Sequence, residues 1–189
     1  PLGLRRQALG ICNTILEHSL KVSLTELITQ AYELYGGILR EDLEQTNSQV
    51  LQFFRQRMQN ILEERKVRYD VIDAVLSAGY DDPTDTWLRA EALQNFEKHP
   101  HYKSLVTAFA RAANLTKNKE IFEVKEGFLV ENAEKELFEA VREVTAKVEE
   151  LLNNFQYVEA LDSISTLNTP IDDFFSEVMV MVEDKNIKE

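Results

Sequence analysis

With 189 residues, 44% of them hydrophobic, and only six Gly and four Pro, the chain can bury a core; wholesale disorder and a turn-rich β fold are disfavoured. The one cysteine, Cys12, rules out an internal disulfide and fits a reducing cytosol, and no run reaches the about 18 apolar residues of a membrane span. The net charge of −12 is unfavourable for a phosphate-binding surface, but residues 120–189 hold 6 Lys/Arg against 18 Asp/Glu whereas residues 1–119 hold 15 of each sign, so a basic face is permitted in the first two thirds.

Leu4 to Glu17 reads as a helix, with Leu4, Ala8, Ile11 and Ile15 three or four residues apart. Ser23-Leu24-Thr25-Glu26 is a capping box opening a second helix, which stops at Gly36-Gly37. A long helix is predicted from about Asn47 to Glu64, its stripe formed by Val50, Leu51, Phe54, Met58, Ile61 and Leu62. Asp70 is expected to cap Val71 to Ala78, closed by Gly79, and Asp82-Pro83 to start the next helix, which ends near His99-Pro100. Tyr102 to Asn114 follows. Residues 116–131 lack clean periodicity, with Ile121 to Val124 read as extended. Asn132 is expected to cap a helix of about 20 residues, Tyr157 to Leu167 forms a shorter one, and Thr169-Pro170 opens the last with Asp172 and Asp173 in its first turn. The sum is an all-α bundle of seven or eight helices, read as one domain over 1–189; the absence of an initial Met reads as a fragment of a longer polypeptide.

Nothing in these elements carries catalysis. There is no Gly-rich phosphate loop, no His-Glu-x-x-His and no Gly-x-Ser-x-Gly. His99-Pro100-His101 reads as a helix-end loop, because two imidazoles without a nearby carboxylate rarely make a metal site. Cys12 lies in an apolar helical stripe and reads as a small core residue. The acid pairs Asp81-Asp82 and Asp172-Asp173 fall at helix starts, where capping accounts for them. The apolar run from Phe174 to Val182 reads as core.

The basic positions are more suggestive. Arg5 and Arg6 open the chain. Arg55, Arg57, Arg65, Lys66 and Arg68 crowd the long helix and the turn after it, with Tyr69 next. Guanidinium groups beside an aromatic ring are the equipment of single-stranded RNA recognition, where cations pair phosphates and a ring stacks on a splayed base. Composition alone favours the plainer alternative of a solvated helix face, since Glu63 and Glu64 offset the charge. Arg111 and Asn114, three apart, share a helix face and are open to the same two readings.

Four stretches in order then resemble one family. Thr169-Pro170-Ile171-Asp172-Asp173-Phe174-Phe175 and the following Val178-Met179-Val180-Met181 resemble the C-terminal region of bacterial glycyl-tRNA synthetase β subunits. Leu2-Gly3-Leu4-Arg5-Arg6-Gln7-Ala8-Leu9-Gly10 is similar to that family's Leu-Arg-Arg-x-x-x-Gly helix, and Tyr69-Asp70-Val71-Ile72-Asp73-Ala74 and Arg111-Ala112-Ala113-Asn114-Leu115 fall in its order. The resemblance implies a DALR-type anticodon-binding domain, a helical bundle shared in outline with arginyl-tRNA synthetase. It implies a cytoplasmic parent of α and β subunits in which the α subunit makes glycyl-adenylate from glycine, ATP and Mg2+. In that parent this domain would meet the anticodon arm of tRNA(Gly). On the positions that match its motifs, the chemistry of the side chains points to Arg5, Arg6, Arg55, Arg57, Arg65, Arg68, Tyr69, Arg111 and Asn114 as contact residues, with no catalytic residue, metal or cofactor expected in the fragment itself. Two departures stand out: Ala110 occupies the place where the family usually puts Lys or Arg before Arg-x-x-Asn, and the family continues into a further helix beyond Glu189. The alternative expectation is a helical domain that docks within the synthetase without touching the anticodon.

Overall fold

A computed structural model describes residues 2–117 and 124–178, and among these residues the regular structure is helical, with no strand. In chain order the helices are α1 (Leu2–Glu17), α2 (Leu24–Leu34), α3 (Leu43–Glu64), α4 (Tyr69–Ala78), α5 (Pro83–Phe96), α6 (Tyr102–Thr116), α7 (Asn132–Asn153), α8 (Tyr157–Ser165) and α9 (Asn168–Glu177). A single 3-10 turn, Glu126–Phe128, stands before α7. The expected all-α fold class holds. Ile121 to Glu123 of the expected extended run, and Met179 to Val182 of the expected core run, lie outside the described residues. The chain forms two compact units, Pro1–Gln94 and Asn95–Glu189.

In the first unit, the stripe on α3 does what its spacing predicts. Phe54, Met58, Ile61 and Leu62 are buried together with Ala8, Cys12 and Ile15 of α1, Leu24 and Ile28 of α2, and Val71, Ile72, Val75 and Leu76 of α4. α3 is thus the central helix, packing against α1, α2 and α4. It starts earlier than predicted, because Asp42 accepts the Gln45 amide at 2.8 Å and caps it at Leu43.

Several helix ends follow the residues that punctuate them. Ser23 accepts the Glu26 amide at 3.0 Å. Gly36 (φ +57°) and Gly37 (φ +84°) follow α2, and Gly79 (φ +148°) follows α4, in conformations that a side chain resists. Asp82 caps α5 through the amides of Thr84 (2.8 Å) and Asp85 (3.1 Å), with Pro83 as first residue. Three expected starts and one expected cap are corrected. α4 begins at Tyr69 rather than Val71, so Asp70 is inside the helix and pairs with Arg68 instead of capping. Glu131, not Asn132, caps α7, in a reciprocal box with Glu134. α9 begins at Asn168, one residue before the expected Thr169 cap, so Pro170 is its third residue and Asp172 and Asp173 are exposed past the first turn. Asp81 caps no helix of its own. Its Oδ1 accepts the Thr25 amide (2.8 Å) and hydroxyl (2.6 Å), and its carbonyl accepts the Leu24 amide (2.8 Å), pinning the start of α2 from 56 residues away. Burial pushes the Asp81 carboxyl up, but hydrogen bonds from Ser23 and Thr25 outweigh that and hold it below the usual carboxylate range.

Cys12 is fully buried, and that burial pushes its thiol up to about 11, with smaller opposing contributions from a backbone hydrogen bond and Arg57. A thiol raised from 9.0 to about 11 stays protonated in the fold at neutral pH. A maleimide or aromatic disulfide at pH 8 should therefore label Cys12 only as fast as the first unit unfolds, with urea restoring full reactivity. The sign of the linkage is clear: the folded state holds the proton more tightly, so this contribution to stability is complete below pH 9 and is lost as the pH rises through 11. Labelling of the native protein at the rate of a free thiol would contradict this.

In the second unit, α7 packs against α8 and α9, and α6 packs against α9. Leu105 and Ala108 of α6, Ala133 of α7, Ala160, Ser163 and Ser165 of α8, and Leu167 are buried. His99 stacks on Phe96, ring centroids 4.8 Å apart, and its Nε2 lies 3.7 Å from Asp162 Oδ1. The His101 amide donates to His99 Nδ1 at 3.2 Å. His99-Pro100-His101 is thus a connection between helices tied down by ring stacking and one carboxylate on α8.

Candidate nucleic-acid interface

In the first unit the structure gathers Arg65, Lys66, Arg68 and Tyr69 on the turn between α3 and α4. The turn is held from below. The Val67 side chain is buried, its amide donates to the Leu62 carbonyl at 3.0 Å, and the Arg68 amide donates to Gln94 Oε1 at 2.8 Å. Lys66 takes a left-handed conformation (φ +64°) where α3 ends. Arg65 lies over the Trp87 ring, 4.4 Å from its centroid. Arg68 grips Asp70 with both Nε (3.0 Å) and Nη2 (2.5 Å), which holds the Asp70 carboxyl below the usual carboxylate range. Tyr69 is 81% exposed.

The other expected residues of this unit are placed differently. Arg5 and Arg6 are exposed on α1, and Arg55 is half-buried on α3, ten residues or about 15 Å of helix before Arg65. Arg57 is only 8% exposed. Its Nη1 donates to its own helix at the Phe53 carbonyl (2.8 Å) and its guanidinium lies 4.0 Å over the Phe53 ring. A cation used in this way braces α3, and we leave Arg57 out of the interface.

In the second unit Arg111 and Asn114 are exposed on α6, one turn apart as expected. Arg111 lies over the Phe175 ring on α9, its guanidinium carbon 3.9 Å from the ring centroid, a cation–π contact. Phe174 and Phe175 are half-buried and meet edge to face at 5.4 Å. The core reading of Phe175 missed its second role as the platform for Arg111. A running count of charge adds a residue that spacing rules passed over. Residues 98–117 hold four Lys/Arg, Lys103 among them, and no Asp/Glu, within a unit otherwise rich in acids. α6 and its approach are therefore a locally basic element on an acidic background.

Comparisons with known proteins bear on both units. A model of the glycyl-tRNA synthetase beta subunit matches residues 1–77, and a model of the DALR anticodon binding domain matches residues 105–189. Across its whole length the chain is 43% identical to the glycine–tRNA ligase beta subunit of Desulforamulus reducens, 41% identical to that of Moorella thermoacetica and 37% identical to that of Clostridioides difficile. Over its whole length the chain is thus similar to glycyl-tRNA synthetase β subunits. It spans 27% to 28% of the length of these relatives. Arg111, Asn114 and Phe175 fall inside the stretch that matches the anticodon-binding domain, whereas Arg5, Arg6, Arg55, Arg68 and Tyr69 lie in the stretch that matches the β-subunit model. Among the described residues no three His, Cys, Asp or Glu side chains converge as metal ligands, and no helix is long and apolar enough to cross a membrane.

Proposed function

We propose that this chain recognises tRNA(Gly) through the anticodon arm, as part of a cytoplasmic glycine–tRNA ligase that joins glycine to the tRNA at the expense of ATP. ATP, Mg2+ and the adenylate chemistry belong on this reading to the α subunit, reached through the rest of the β subunit, and no step of them is assigned to residues of this chain. One observation carries the reading: within the stretch that matches the anticodon-binding domain, the acid-free helix α6 presents Arg111, its guanidinium over the Phe175 ring, with Asn114 one turn on. A guanidinium that already rests on a ring pairs phosphate or guanine edges with less loss of freedom than a mobile one, and an amide side chain beside it reads a base edge. Ala110 leaves no cation immediately before the motif, so Lys103, two turns earlier, supplies the additional charge on this helix. Arg5, Arg6, Arg55, Arg65, Arg68 and Tyr69 remain candidate contacts of the first unit.

The test is binding of a tRNA(Gly) anticodon stem-loop, followed by fluorescence anisotropy at two or more salt concentrations. Affinity should fall with salt, with a slope of about 0.7 per phosphate contact. Arg111→Ala should weaken binding about tenfold, a single charged contact's worth, and should lower discrimination against a loop with altered anticodon bases. Equal affinity of wild type and Arg111→Ala for both loops would sink the assignment to α6.

A second reading has its own observation. Leu4, Ile11, Leu27, Tyr35, Val50 and Phe54, from α1, α2 and α3, line an apolar cavity of about 680 Å3 on the first unit. Beside it Leu34 (88%) and Ile38 (82%) are exposed. Apolar surface of that kind marks a protein-docking face. The first unit would on this reading pack against another part of the β subunit, and a first unit that binds no RNA would favour it.

A further inference from the structure

We infer that the turn between α3 and α4 is a second RNA contact, on the first unit, which stacks one unpaired nucleotide on Tyr69, next to the cations Arg65, Lys66 and Arg68 of the same turn. The inference rests on the tRNA reading for its ligand class but extends it to a unit outside the stretch that matches the anticodon-binding domain.

Three features of the turn point to a nucleotide rather than to a protein. Tyr69 is more exposed than any other aromatic ring among the described residues: 81%, against 56% for Tyr35 and 49% for Phe109 and Phe128. A ring held out in solvent at the first residue of a helix contributes nothing to the core, yet it offers a flat face to a base. The residues that flank it in the chain, Arg65, Lys66 and Arg68 before it and Asp70 after it, are charged rather than the apolar side chains that would surround the centre of a protein interface. Residues 65–69 span at most about 14 Å of backbone, so the three cations are rooted within a nucleotide's length of the ring.

The turn is also rigid before any ligand arrives. Buried Val67, the Arg68 amide on Gln94 and the Arg65 guanidinium on Trp87 hold it at three points. A preformed platform loses little freedom on binding. Asp70 lies beside Arg68, and Glu63 and Glu64 precede Arg65, so the turn as a whole is not a strong anion attractor. Stacking must then supply most of the affinity, and contact here should depend on a splayed base more than on duplex backbone.

The chain's one tryptophan gives a direct readout, because Arg65 lies on it. Trp87 emission should be titrated with two RNAs: the tRNA(Gly) anticodon stem-loop and a single-stranded oligonucleotide of unrelated sequence, with an uninterrupted RNA duplex as control. Both unpaired RNAs should change the emission and the duplex should not. Tyr69→Ala should weaken binding of the single strand about tenfold, while Tyr69→Phe, which keeps the ring, should restore it. Tyr69 is exposed, so neither change endangers the fold. If the stem-loop binds with an Arg111-dependent affinity while Trp87 is silent and Tyr69→Ala binds as wild type, this inference is overturned and the α6 reading stands. If the single strand binds through Tyr69 but the stem-loop shows no anticodon discrimination, the inference stands and anticodon reading fails. Silence of Trp87 toward both RNAs overturns the inference in favour of protein docking by the first unit.

Discussion

Replacing Arg89 by Met should destabilise the first unit by about 2–4 kcal/mol, the range for removing a partly buried cation from its hydrogen-bond partners. Arg89 is a clamp on the end of α4. Its Nη1 donates to the Val75 carbonyl at 3.0 Å and its Nη2 to the Gly79 carbonyl at 2.7 Å, while its Nε donates to Asp85 at 2.8 Å. The last carbonyls of a helix lack partners within it, and a buried end without them is costly. The Arg89 and Asp85 side chains are 19% and 22% exposed, so water replaces the lost bonds only in part. Met fills much of the same volume, which isolates the hydrogen bonds from the packing. Arg89→Lys should recover less than half of the loss, because an ammonium cannot reach three acceptors in a planar fork. Urea denaturation followed by helical circular dichroism measures both variants. A loss below 1 kcal/mol for Arg89→Met would mean that the α4 end is adequately solvated and that the clamp is incidental.

Leu62→Ala should cost about 3 kcal/mol, within the usual span for a fully buried leucine. Leu62 has no exposed surface and belongs to the core that joins α3 to α1, α2 and α4. The loss has two parts: the transfer of the missing carbons, and a cavity that rigid helices on either side cannot close. A cooperative unit of this size should lose 10 °C or more in Tm. Leu62→Met, which nearly conserves volume, should cost under about 1.5 kcal/mol. If Leu62→Ala and Leu62→Met fall together, the site repacks freely and α3 is not the fixed centre of the unit. Because Val67 and the α3–α4 turn hang from this part of α3, Leu62→Ala should also weaken RNA contact at Tyr69, whereas Arg111 on the second unit should be unaffected.

Local chemistry was enough to read much of this protein from its residues. The 3–4 spacing of Phe54, Met58, Ile61 and Leu62 specifies a buried helical stripe, because only one face of a helix meets the core. Ser23, Asp82-Pro83 and Gly79 specify helix ends, since each satisfies or excludes particular backbone groups within a few residues. Arg111 and Asn114 share a face for the same reason: the period of the helix places them there. The all-α class and the family likeness follow from such short-range patterns taken in order.

What tertiary structure decided is which partner each polar group found, and sequence spacing carries no record of that. Arg57 and Arg65 are alike in composition and lie eight residues apart, yet one is buried against its own helix and the other lies on Trp87 beside an exposed tyrosine. Asp81 and Asp82 are adjacent acids, but Asp82 caps its own helix while Asp81 pins α2 from across the unit. Arg89 reads as an ordinary helix residue until α4 ends against it. The ring of Phe175 reads as core until Arg111, 64 positions earlier, is found on its face. Helix periodicity and capping act over one to four residues, so the sequence by itself determined them. Hydrogen bonds, ion pairs and ring contacts between distant positions exist only once the core has brought the helices together.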